Sequence, residues 1–526
     1  MSVGHKSKRA DQPLPSLILI TLSSALFFPA LNSASGFSLF RLTSTSIVLG
    51  LVLIFLAFQN RIQKSIAKPL LIISIYPFYL SLHAVLEGNF SKALLGNADR
   101  NLGVITSLVC LGFFILGQSL FSKSKGSFIQ IIIGLEIIQL IVFATKYFGL
   151  ASDGRLGSFY NSNPTSILFG LTSIIIIINF WESKRANSRH IINTLILFLI
   201  SACILIWIGS VQAYVGFLGS LFLYCLKFIY KQRNELARIQ LAAILMGYTA
   251  FIGFVLRLKS PTPIQANGNS FYERLEIYKT SIKIIRENPL FGIGVDNFNL
   301  GYYKYNYTSN LKLVDNAHSI PLQIAGTVGI IGLLIWGFIL LKMTYTASVN
   351  TDFKDSHLLA GIHFYLISGC FAIQVPGIEF LLFFILGYTY KTNISSRNFA
   401  SRGKPLAVII AVTAILSVAV SSKVFLTHLQ FSRAITLPLY SSDKDLQVLE
   451  GDADYLFDIG LLFRAGQRAI ALKDKSLGSH ILQEMMTKWP LDQRTVAYAL
   501  ILGATFSDEK ITRLGEQLNA KAKAQD

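Results

Sequence analysis

The sequence predicts an all-α, polytopic membrane helix bundle with one large extracytoplasmic loop and a small helical C-terminal tail. Three observations predict it. Apolar runs long enough to cross a hydrocarbon layer of roughly 30 Å recur along most of the chain. Of 526 residues, 52% are hydrophobic and only 14% are charged. Lysine and arginine concentrate on alternate loops between the apolar runs. A soluble domain lacks the interior to hide that much apolar surface.

Taken in order, the expected spans lie near residues 15–34, 42–58, 69–86, 102–121, 128–148, 164–181, 191–209, 212–230, 237–256, 320–341, 358–375, 377–390 and 405–422, about thirteen in all. The first follows HKSKR and has the look of a secretory signal, but no small-residue cleavage pattern comes after it, so it reads as an anchor. With the N-terminus inside, the cytoplasmic segments carry 21 Lys and Arg, beginning with Lys6, Lys8 and Arg9. The short outside loops hold five, namely Arg41, Lys92, Arg100, Lys146 and Arg155. That asymmetry sets the orientation, and the odd span count puts the tail outside.

The formal net charge of +19 raises the question of nucleic acid. The tail from about residue 422 carries 13 basic and 13 acidic residues, so the whole excess belongs to the membrane part, where topogenic lysines and anionic headgroups account for it. Nucleic acid is therefore excluded as a partner, and the bilayer is retained. Cys110, Cys203, Cys225 and Cys370 all fall inside expected spans, which supports neither a disulfide framework nor a zinc site.

The chain thus divides into a membrane domain, 1–425, whose loop 257–319 is the largest extracytoplasmic segment, and a tail, 426–526. The tail predicts helices over 455–472, 476–488, 493–504 and 508–523, broken at Asp474, Pro490 and Ser507-Asp508. The break at WPLD resembles a tetratricopeptide-type hairpin, and the tail reads as a docking or stabilising unit, a place for an envelope protein partner.

Within the large loop, SFYERLEIYKTSIKIIRENPLFGIGVDNF is the densest signal. Phe271, Leu275, Tyr278, Ile282 and Ile285 recur at helical spacing, with Glu273, Glu276, Lys279, Lys283 and Arg286 on other faces. This predicts an amphipathic helix lying along the membrane surface and ending at Asn288-Pro289. Gly292 to Gly294 has no strand before it, so the GIG reads as a tight turn rather than a phosphate loop. The stretch DNAHSIPLQIAGTVGIIGLL then sets Asp315 and His318 at the mouth of an apolar helix.

A loop helix with an early arginine, then NPLFGIGVDNF, then AHSIPLQIAGTVGIIGLL, resembles the core of the O-antigen ligase and Wzy-type polymerase superfamily. Upstream, RLGSFYNSNPTSILFGL, residues 155 to 171, is similar to that family's arginine, glycine and Asn-Pro pattern leading into a span. The resemblance implies a bacterial cytoplasmic-membrane glycosyltransferase. Its donor would be an oligosaccharide on a polyprenyl pyrophosphate, its acceptor a glycan, lipid or protein hydroxyl at the outer face, and it would use no cofactor and no metal.

Such a reaction needs fixed positive charge at the leaving pyrophosphate and a polar group steering the hydroxyl. By the resemblance, His318 matches the family's key histidine, orienting the acceptor hydroxyl or taking its proton. Contact with the pyrophosphate, or a structural place at the helix start, are its other readings. Asp315 either holds the imidazole tautomer or caps the helix. Arg274 matches the arginine that opens the loop helix, and Arg155, Arg100 and Arg41 are further candidates for the diphosphate, since guanidinium offers paired planar donors.

Two positions depart from the ligase pattern. After Ser210, valine stands where those enzymes carry arginine, leaving Gln212 to supply part of the hydrogen bonding, and His318 is followed by Ser319 rather than Asn. The missing arginine and the added tail favour polymerisation of repeat units over ligation. Glu136, mid-span, is expected to hydrogen-bond a neighbouring helix, with substrate contact as the alternative. The rival class is a flippase of lipid-linked sugars, although no second copy of the loop or of the AHS motif is present.

Overall fold

A computed structural model describes residues 13–27, 37–59, 62, 66–86, 93–94, 96, 102–121, 125–147, 162–182, 188–208, 210–231, 270–305, 314, 316–350, 356–390, 404–436, 459–488 and 493–524. Among them every regular element is helical. The bundle is formed by α1 (Pro13–Phe27), α2 (Phe37–Phe58), α3 (Ala67–Leu86), α4 (Val104–Phe121), α5 (Lys125–Tyr147), α6 (Ser162–Glu182), α7 (Ser188–Ile208) and α8 (Val211–Lys231). Then come the loop helices α9 (Ser270–Glu287) and α10 (Phe298–Tyr305), followed by α11 (Ile320–Asn350), α12 (Ser356–Gly369), α13 (Pro376–Thr389) and α14 (Lys404–Thr436). The tail supplies α15 (Ile459–Ala471), α16 (Lys475–Lys488), α17 (Gln493–Thr505) and α18 (Glu509–Ala524).

Six described helices are long and apolar enough to cross a membrane: α2, α3, α5, α6, α11 and α14, with shorter apolar stretches in α1, α4, α7, α8 and α13. Helices form here because a bilayer offers no water to backbone amides, which must pair within the segment. The expected span 237–256 lies outside the described residues. Leu71, Phe78, Leu334, Leu341, Val408 and Leu416 point their side chains outward, as a lipid-facing surface requires. Within the bundle, small residues let backbones touch. A Cβ on Gly117 of α4 would stand 2.0 Å from the Phe384 carbonyl of α13, and one on Gly387 would stand 2.1 Å from the Phe114 carbonyl.

Glu136 is fully buried and accepts hydrogen bonds from the hydroxyls of Thr172 and Ser173 on α6 and Ser201 on α7, the Ser173 contact at 3.5 Å. It joins α5 to two neighbours, the structural role expected from its sequence. The tail helices close on their own core of Leu462, Ala465, Leu477, Ile481, Tyr498 and Leu502. The same turn recurs twice in it, with Lys473 and Ser507 in the left-handed region and Asp474 and Asp508 accepting the backbone N–H of the next helix. α18 rests against α10, and α15 against the end of α14. Because α14 is continuous to Thr436, the expected boundary at 425/426 falls inside a helix.

One expectation needs correcting. The span read as 320–341 is one element running to Asn350 and broken at Gly329, where φ is 77° and ψ 177°. The loop helix forms as expected, and the side it buries against the bundle is Ile277, Thr280, Ser281 and Ile284. Leu275 and Ile282, from the apolar stripe, stay exposed on the opposite side. The stripe was legible as hydrophobic; the second face, half of it hydroxyls, was not.

Candidate active site

The break in α11 is what organises the site. At Gly329 the helix loses its own pairing, and the turn after α9 supplies the missing partners. The amides of Ile293 and Gly294 donate to the carbonyls of Gly326 and Thr327 at 3.1 and 2.8 Å, and the amide of Ile330 donates to Pro289 at 2.8 Å. The Tyr79 hydroxyl of α3 donates to the Val328 carbonyl at 2.7 Å. Irregular backbone at membrane depth persists only where protein satisfies it in this way. The approach leaves no room for side chains: a Cβ on Gly329 would lie 2.0 Å from the Leu290 carbonyl, and one on Gly292 2.5 Å from the Thr327 backbone. These contacts explain why glycine stands both at 292 in the turn and at 329 in the break.

The turn is pinned to the ends of α3 and α4 as well. His83 Nε2 donates to the Phe291 carbonyl at 2.5 Å, and Asp296, at φ 56°, accepts the Leu102 amide at 3.1 Å through Oδ2. Beneath α9, Ile277, Ile284, Phe298 and Ala317 form a small separate core. The loop is therefore a rigid platform, and α9 is held at a fixed distance from the start of α11.

Three sequence-nominated or neighbouring groups meet there. His318 adopts φ 50°, a conformation a non-glycine residue holds only when its surroundings over-determine it. Here both of its backbone groups are gripped by side chains. Asn316 Oδ1 accepts the His318 amide at 2.9 Å, and the Tyr278 hydroxyl donates to the His318 carbonyl at 3.2 Å. Arg274, one helical turn before Tyr278 and on the same flank of α9, is half-buried. Burial raises the Tyr278 phenol above its usual range, the Arg274 charge acting against this and Cys370 adding to it, so the phenol stays a donor at neutral pH. Helix α11 starts at Ile320, with the Ser319 carbonyl taking its first bond from Gln323 at 2.8 Å. The capping position is thus Ser319 and not His318.

Of the remaining nominated residues, Arg41 and Gln212 are described. Arg41 lies buried in the second turn of α2, a helix packed chiefly on α14, α1 and α4. Gln212 is fully buried at the start of α8, its Oε1 accepting from Ser210 at 2.7 Å, with Ser210 Oγ 3.3 Å from Asn163 Oδ1. Asp315, Arg100 and Arg155 lie outside the described residues.

Sequence reasoning passed over four residues. Tyr278 was hidden in an apolar stripe, and Asn316 and Gln323 are ordinary loop and helix polars until the chain folds. Gln323 Oε1 accepts the Ala317 amide at 2.8 Å, steadying the histidine's neighbour. Glu379 carried a readable signal, a lone carboxylate in an apolar run. It is buried and accepts from Gln374 Nε2 at 2.6 Å and the Tyr365 hydroxyl at 3.2 Å.

The fold and this join define a multi-pass membrane helix bundle whose loop helix docks against a broken span, with Tyr278 of that helix bonded to the His318 main chain. Residues 156–337 match the family described as O-antigen ligase, and the likeness of this segment supports the O-antigen ligase/Wzy-type superfamily. The match spans α6 to the first part of α11 and so includes Gln212, Arg274, Tyr278 and His318. A search of curated proteins gives no match.

Proposed function

We propose that the protein transfers an oligosaccharide from a polyprenyl-pyrophosphate carrier to an acceptor hydroxyl at the outer face of the bacterial cytoplasmic membrane, extending a polysaccharide by repeat units. The observation that carries this reading is the convergence of Arg274, Tyr278 and His318 inside the segment that matches the O-antigen ligase family. The acceptor oxygen attacks the anomeric carbon, the bond from that carbon to the pyrophosphate oxygen breaks, and the acceptor's proton passes to the His318 imidazole or to water. Arg274 offsets the charge that builds on the departing pyrophosphate. Asp315, Arg155, Arg100, Arg41 and Gln212 remain proposed contributors to the donor site.

The topology supports this reading. With about thirteen spans and the N-terminus inside, Arg274, His318 and the tail share the extracytoplasmic side, where lipid-linked glycans are presented. Contact between α18 and α10 agrees with that arrangement. The two like-built tail turns, at Lys473 and Ser507, recur at a spacing equal to the ~34-residue tetratricopeptide period, favouring a docking role for the tail. The absence of arginine after Ser210 favours polymerisation over ligation.

Purified protein in nanodiscs, given a lipid-linked oligosaccharide, tests the proposal. A ladder of repeat units that persists in chelator is the expected product. A single transfer per acceptor would make the enzyme a ligase, movement of the lipid without transfer would make it a flippase, and loss of activity in chelator would end the metal-independent reading.

A further inference from the structure

A cleft runs between α3, α4, α11 and α13 beneath the NPLFGIG turn. Its composition differs from what a pyrophosphate requires. Asp296, Glu379, Gln374 and Gln323 supply the polar part, while Tyr76 and Trp336 give it aromatic walls. Neither lysine nor arginine stands among its described lining residues. A diphosphate entering it would meet two carboxylates and no cation.

The polar groups are also poised for a ligand. Gln323 is 3% exposed and spends its Oε1 on the Ala317 amide, which leaves Nε2 with no hydrogen-bond partner. A buried amide donor left so is costly unless something fills the cleft. On α13, Glu379 accepts at Oε1 from both Gln374, just before that helix, and Tyr365 of α12, leaving Oε2 to accept from another group. An unfilled donor, an unfilled acceptor and aromatic faces make up a surface for a neutral polyhydroxylated ring, whose hydroxyls both donate and accept and whose C–H faces stack on aromatic rings.

From this geometry we propose that the cleft binds a neutral sugar unit of the acceptor, through Gln323 Nε2 and Glu379 Oε2, and is not a site for the carrier pyrophosphate. The proposal rests on the glycosyl-transfer reading for the word acceptor, but the chemistry of the cleft stands by itself. Gln323 couples the two places. Through Oε1 it steadies the residue before His318, and through Nε2 it holds the sugar that brings its hydroxyl to that histidine.

Photo-crosslinking and kinetics test it together. With p-benzoylphenylalanine in place of Ser107, a half-buried lining residue, irradiation in native membranes should capture material containing sugar, identified by mass spectrometry. Capture should fall at least fivefold in Gln323→Glu, which keeps the acceptor for the Ala317 amide and removes the unfilled donor. Glu379→Gln is the second variant, in case the first melts lower. In nanodiscs, acceptor KM should rise at least tenfold in Gln323→Glu, with donor Kd unchanged. Capture of acyl chains alone, or of a sugar whose yield ignores both substitutions, overturns the proposal. A donor Kd that rises while acceptor KM holds would assign the cleft to the carrier. If the unsubstituted protein transfers no glycan, the proposed reaction fails, yet the crosslink still decides whether sugar occupies the cleft.

Discussion

The Tyr278 hydroxyl donates to the main-chain carbonyl of His318 at 3.2 Å, so a residue of the loop helix sets the backbone of the residue at the mouth of α11. This bond ties the platform carrying Arg274 to the histidine. Tyr278→Phe keeps the ring and removes the donor. The stability cost should be small, about 0.5–1.5 kcal/mol for a hydrogen bond of this kind. Turnover should fall about tenfold, because His318 at φ 50° then has one fewer constraint. A kcat loss with donor binding unchanged marks positioning; equal activity to wild type would remove Tyr278 from the site.

Arg274 and His318 should have separable roles. Lysine at 274 keeps the charge and loses the planar fork, so Arg274→Lys is impaired and Arg274→Ala more so, with melting temperature nearly unchanged for a half-buried helix position. His318→Ala should abolish transfer while donor binding persists. Full turnover in His318→Ala would refute the catalytic role, and loss of donor binding in it would move the imidazole to the pyrophosphate.

Gly329→Ala is expected to be among the most damaging single changes. Its φ of 77° with ψ 177° lies in a region open essentially to glycine, costing about 1–3 kcal/mol for any other residue. The added Cβ also displaces the Leu290 carbonyl and with it the docked turn. Thermal unfolding and transfer should both drop. A variant that melts and turns over like wild type would mean the turn does not dock in the break.

Glu136 should prove structural. Its partners Thr172 and Ser201 also reach carbonyls of their own helices, Leu168 at 2.8 Å and Leu197 at 3.0 Å, so losing the carboxylate strands neither hydroxyl. With about 0.6 kcal/mol per hydrogen bond inside a membrane, Glu136→Gln should be mild and Glu136→Leu should cost roughly 1–2 kcal/mol. Transfer rates should stay within about twofold after correction for folded protein. Lost activity at an unchanged melting temperature would place Glu136 in a substrate cavity instead.

The loop and the tail should label from the same side. After Cys110, Cys203, Cys225 and Cys370 are replaced by serine or alanine, single cysteines at Lys283 of α9 and Lys510 of α18 should both react with an impermeant maleimide in spheroplasts. Labelling of the first but not the second would put a miscounted span between α11 and the tail.

Much of this architecture was legible in sequence because bilayer physics acts on each segment alone. An apolar run of sufficient length must be helical, whatever its neighbours, so α2, α3, α6 and α11 could be placed from composition. The tail helices could be placed as well, since Asp474 and Asp508 are caps that work through the next few amides. The loop helix was legible, but its side against the bundle was not: Thr280 and Ser281 bond their own helix carbonyls and so pack inward without looking apolar.

By itself, then, the sequence determined the helical membrane class, the amphipathic loop helix, and the nomination of Arg274 and His318. Tertiary structure alone decided that α11 breaks at Gly329, that the GIG turn fills the break, that Tyr278 and Asn316 hold the histidine's backbone, and that Gln323 and Glu379 face one cleft. The physical reason lies in the range of the interactions. Hydrophobic length, capping and helical periodicity act over a few residues and can be read along the chain. A freed carbonyl, an unfilled amide and a strained φ find their partners tens to hundreds of residues away, as Tyr79 does at Val328, and exist as features only once the chain has folded.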